Sequence, residues 1–114
     1  MTTTVWEIVK TAISGLGVPY AADRLLVDDG EDYPATYIVY FLVSAPPEQY
    51  ADDAEELRSY TMQVNVFSVN GLINLPDVDT AMKTAGFIKG RMFEIPPDSE
   101  TSHYGLGTEY IYSM

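Results

Sequence analysis

The stretch TYIVYFLVSA, Thr36 to Ala45, decides the fold, because apolar, aromatic and β-branched side chains fill both of its alternating faces. Branched and ring side chains suit a pleated, extended backbone, where they pack without the rotamer loss that a helix imposes. A strand apolar on both faces is either covered on two sides or paired across subunits, so a central position is expected. Downstream, RSYTMQVNVFSV (Arg58 to Val69) alternates instead: Tyr60, Met62, Val64 and Val66 point one way, and Thr61, Gln63 and Asn65 the other. One face meets a core and the other meets something polar.

Upstream, TTTVWEIVKTAISGLG places Val5, Ile8, Val9, Ala12, Ile13 and Leu16 three and four residues apart, the stripe of an amphipathic helix. One of Thr2 to Thr4 caps it, with Glu7 completing a box from Thr4, and Gly15 or Gly17 ends it. VPYAADRLL reads as a short edge strand, since Pro19 has no N–H for a central ladder. After the turn at Asn70 and Gly71, a short helix is expected from about Leu75 to Ala85, with Pro76 in its first turn and Asp77 and Asp79 near its positive end. KGRMFEIPP and GTEYIYSM add two strands around the polar loop DSETSHYG. The order α-β-β-β-α-β-β predicts a single α+β domain over residues 1–114. Its expected form is a largely antiparallel sheet of four to five strands with two helices packed on one face.

Seventeen acids against six bases give a net charge of -11, which repels phosphate and anionic lipid and argues against sequence-specific nucleic-acid binding. No cysteine is present, so disulfides, thiol nucleophiles and thiolate metal sites are excluded. No apolar run reaches the length of a membrane span, and MTTTVWEIVK lacks the basic-then-apolar order of a signal peptide. A reducing cytoplasm suits such a chain.

The acids fall mainly in two connections. The turn holds Asp28, Asp29, Glu31 and Asp32, and the link at about residues 46–57 holds Glu48, Asp52, Asp53, Glu55 and Glu56, answered there by Arg58. A calcium loop around Gly30 would need ligands where Leu25, Val27 and Thr36 stand, so the turn reads as a solvated one. The lone His103, in a Ser/Thr-rich loop, gives neither a catalytic triad nor a metal site, and a surface position at a hairpin tip is expected for it. The glycines of SGLG and YGLG lack the spacing of a phosphate-binding loop. Nine tyrosines and one tryptophan without interleaved bases suit a protein interface better than a nucleic-acid platform. No catalytic residue, metal ligand or cofactor is expected, and metal-assisted hydrolysis is the weakest alternative.

The helix followed by GVPYA, the acidic DDGEDYPATYIVYF running into a strong strand, the charged link, the YTMQVNVFS strand, the Pro-Asp helix start and the terminal TEYIYSM together resemble tail-completion proteins. These are also called tail-terminator or tail-to-head joining proteins, of long-tailed bacteriophages and prophages. The resemblance covers nearly the whole chain and rests on element order and apolar placement. It implies a non-enzymatic virion protein, made in the host cytoplasm and placed at the tail-head junction. There it would form a six-fold ring on the major tail tube protein, stop polymerisation and dock on the head connector. DNA would pass through without specific binding. The extra apolar face of Tyr37, Ile38, Val39, Tyr40, Phe41 and Leu42 is then a candidate inter-subunit strand, the alternative being cover by the same chain. The acids of either connection are candidates to line the lumen, the alternative being an external solubilising loop. Another neck component, such as a head-completion or connector protein, and a small cytoplasmic acidic binding module are the competing readings.

Overall fold

The computed structural model describes the backbone of residues 4–23, 25, 33–45, 47–51, 54–97 and 102–113, and the side chains of all of these except 47–51 and 54–58. Helix α1 (Val5–Ile13) starts where the Thr4 hydroxyl accepts the Glu7 N–H at 3.3 Å, and it passes through a 3-10 turn to Gly17, whose φ of 76° is the left-handed conformation that glycine adopts freely. Strand β1 (Tyr20–Ala22) follows and runs parallel to β2 (Thr36–Ser44) at one edge of the sheet. Pro19 stands just before it, and its carbonyl accepts the Ile38 N–H at 2.9 Å. An edge position is where a proline is tolerated.

Beyond β2 come β3 (Pro47–Ala51) and the long β4 (Ala54–Ser68), and then helix α2 (Val78–Thr84), β5 (Ile88–Ile95) and β6 (Tyr104–Ser113). Strand order is β1-β2-β4-β6-β5, antiparallel except at β1, with β3 pairing on β4 off this path. The fold is α+β. Its order is α-β-β-β-β-α-β-β, so the expected order lacked one strand. The link expected at residues 46–57 is itself paired: Pro47 lies opposite Arg58 and Ala51 opposite Ala54. Two residues, Asp52 and Asp53, separate the strands, the connection length of a tight hairpin.

Both helices lie on one face of the sheet. Val5, Val9 and Ile13 of α1 and Val78 and Met82 of α2 close over Ile38 and Tyr40 of β2, Met62, Val64 and Val66 of β4, and Tyr110 of β6. Most of these are buried completely, and truncating one such side chain to alanine typically costs about 2–5 kcal/mol. Helix α2 is shorter than the sequence suggests. It begins one residue after Asp77, whose carboxylate accepts both the backbone N–H (3.1 Å) and the hydroxyl (2.7 Å) of Thr80.

Candidate functional site

Among the described residues no group of three or more His, Cys, Asp or Glu is placed to hold a metal ion, and no helix is long and apolar enough to cross a membrane. The surfaces that β-sheet geometry leaves available are more informative. Strand β4 has 15 residues, roughly 50 Å at the usual rise. Only Ser59–Ser68 pairs with β6, and Thr61–Ser68 with β2. Ala54–Arg58 pairs with β3 alone, so the two strands continue past the body as a two-stranded arm. The long axis of the molecule, 54 Å against 27 and 24 Å, fits that extension.

The opposite lateral edge of the sheet is β5, which pairs with β6 and, among the described residues, with nothing on its other side. A bulge between Lys89 and Met92 interrupts its register. There Gly90 approaches the Glu109 carbonyl so closely that a Cβ would sit 3.2 Å from the oxygen. Arg91, next along, donates through Nε (3.3 Å) and Nη2 (3.0 Å) to the two Glu109 carboxylate oxygens and lies 5.6 Å from the Phe93 ring centroid. Ile88 and Met92 are largely exposed, at 71% and 56%. Arg91, Met92 and Phe93 frame an open hollow of about 520 Å³. Nothing in the sequence singles this strand out, because its position at an edge is set by topology.

One polar cluster fastens α2 to the β5–β6 pair. The Tyr110 hydroxyl donates to one Asp79 carboxylate oxygen, and Lys89 Nζ donates to the other at 2.7 Å. The Lys89 bond, then the Tyr110 bond, hold the Asp79 carboxyl below the usual carboxylate range. Burial first, and then the Asp79 contact, push the Tyr110 hydroxyl far above its ordinary value, so it stays protonated. The cluster clamps helix to sheet, and Asp79 and Tyr110 also line an open hollow of about 250 Å³ together with Val64, Met92 and Thr108.

The candidate inter-subunit strand is largely taken up within the chain. Ile38 and Tyr40 are core residues and Leu42 packs against them. Tyr37 and Val39 are buried on the other face. There Tyr37 stacks on Tyr33 (5.7 Å between centroids) and on Phe67 (5.1 Å), with His103 edge-on at 5.1 Å. Only Phe41 and Leu42 keep partial exposure. Cover by the same chain, rather than a second subunit, explains the apolar character of Tyr37 through Tyr40.

His103 is not at the surface but 97% buried, its exposure being 3%. Its Nε2 lies 2.7 Å from the Pro34 carbonyl, to which it donates, leaving Nδ1 buried without a partner. It thereby fastens the entrance of β6 to the entrance of β2. Of the acids, Asp28, Asp29, Glu31, Asp32, Asp52 and Asp53 lie outside the described residues. Glu48 belongs to β3, and Glu55 and Glu56 to β4, but their side chains lie outside the described residues too.

A furrow of about 710 Å³ separates the helices, lined by Ile8, Ala12, Ala81 and Ala85 with Glu7, Thr11 and Thr84 at its sides. No protein-family model and no curated protein matches this sequence.

Proposed function

We propose that this chain is a structural protein of bacteriophage tail assembly, a ring that caps the finished tail tube, ends its polymerisation and joins it to the head connector. The resemblance in element order and apolar placement supports this reading. The single structural observation that carries it is the pair of unlike assembly surfaces on one small sheet: a protruding arm and an open edge strand. A ring of identical subunits needs such a pair, because each subunit must meet its neighbour through two different patches. The net charge of -11 suits a channel that DNA crosses without adhering. In this role the protein works by shape and contact and has no catalytic centre.

The test is direct. Purified protein added to uncapped tail tubes should place density on tube ends in electron micrographs and stop their further growth. Bare ends, together with a scattering mass that stays monomeric in the presence of tubes, would overturn the reading. Genes for a major tail protein and a tape-measure protein beside this one would add support.

The furrow between α1 and α2 favours a second reading, a small acidic binding module. A monomer that ignores tail tubes and loses a captured ligand when Ala81 is enlarged to Leu would favour the module over the ring.

A further inference from the structure

We propose that the acidic arm of one copy docks along the open β5 edge of a second copy, adding its strands to the neighbour's sheet. This rests on the ring reading and names the contact that would build it.

The arm needs a partner. Two-stranded ribbons are marginal in water, and Pro47–Ala51 paired with Ala54–Arg58 has no third strand among the described residues. Its outer rows of N–H and C=O groups are a template for another strand. In sequence the arm carries five acids against the single cation Arg58.

The β5 edge answers in charge and shape. Lys89 and Arg91 outnumber Glu94 along it; Lys89 is held by Asp79, while Arg91, though paired with Glu109, keeps 76% of its side chain exposed. Ile88 and Met92 are exposed along it, and the hollow at Arg91, Met92 and Phe93 opens there. The same edge is guarded against a second β5. The bulge disrupts a flat ladder, and an antiparallel β5 pair would bring Lys89 and Arg91 against like charges. An acidic strand meets the exposed Arg91 guanidinium in place of that like-charge repulsion, and can pair on either side of the bulge. Because arm and edge are different patches, the contact repeats head to tail and closes when the rotation allows.

The chain has no cysteine, so introduced thiols are the only attachment points for a short bismaleimide. Gln49→Cys marks the arm and Met92→Cys marks the edge. The expected result is a covalent dimer when the two variants are mixed and none when either is treated alone, with the yield falling several-fold as salt screens the contact. Light scattering on the untreated protein, alone and with tail tubes, runs in parallel. If the protein assembles but the mixture gives no dimer, or Met92→Cys links to itself, the docking is overturned and the ring reading stands. If it is monomeric under both conditions, both fall.

Discussion

At the scale of single residues, Asp79 ties helix α2 to the sheet through Tyr110 and Lys89. Because the folded Asp79 carboxyl titrates below its ordinary value, its contribution to stability is complete above the unfolded value near about 4 and is lost as pH falls through the depressed one. Asp77, lowered by the Thr80 hydroxyl and then by the Thr80 N–H, works in the same window and the same direction. Asp79→Asn should therefore melt below the wild type at neutral pH, and the gap should narrow as pH drops below about 4. A gap that stayed constant over that range would show that the charge of Asp79 is irrelevant. Tyr110→Phe removes a hydroxyl that donates to a carboxylate from a fully buried ring, a loss of about 2 kcal/mol that urea unfolding at neutral pH would measure.

At the scale of elements, close approach across β6 sets the limits. A Cβ on Gly107 would sit 2.7 Å from the Phe93 ring and 2.9 Å from the Asn65 side-chain oxygen, so both side chains must shift to admit it. Gly107→Ala should cost about 1–3 kcal/mol, whereas Gly15→Ala, with nothing near its added Cβ, should change the melting temperature little. Helix α1, strand β2 and the body of β4 are legible in the sequence because one rule, burial of a stripe or face, governs every position in them. Strand β3 is not: Pro46, Pro47 and the acids around them carry the marks of a connection, and pairing between backbones leaves no signature in polar side chains. His103 misleads for a related reason. Its Ser/Thr-rich surroundings describe the local chain, while its burial depends on Pro34, 69 residues away. The open edge is hidden as well, since the run from Ile88 to Ile95 looks the same whether its strand ends the sheet or sits within it.

At the scale of the whole molecule, the body and the arm are separable in energy, and this makes the assembly reading testable without unfolding the protein. The core is closed by α1, α2, β2, β6 and the part of β4 from Met62 to Val66, none of which belongs to the arm. Replacing residues 46–58 by an Asn-Gly turn between Ala45 and Ser59 closes a two-residue hairpin in the antiparallel register in which Leu42 faces Met62. Such a variant should retain its far-UV circular dichroism per folded residue and melt within a few degrees of the parent, because an unsupported two-stranded ribbon adds little stability of its own. It should also fail to assemble, with a mass that stays monomeric where the parent grows, and it should leave tail-tube ends bare. Loss of the fold together with the arm would mean that the ribbon is an integral part of the body. Assembly that survived the deletion would shift the search for the subunit contact to the helix furrow or the aromatic face around Tyr33.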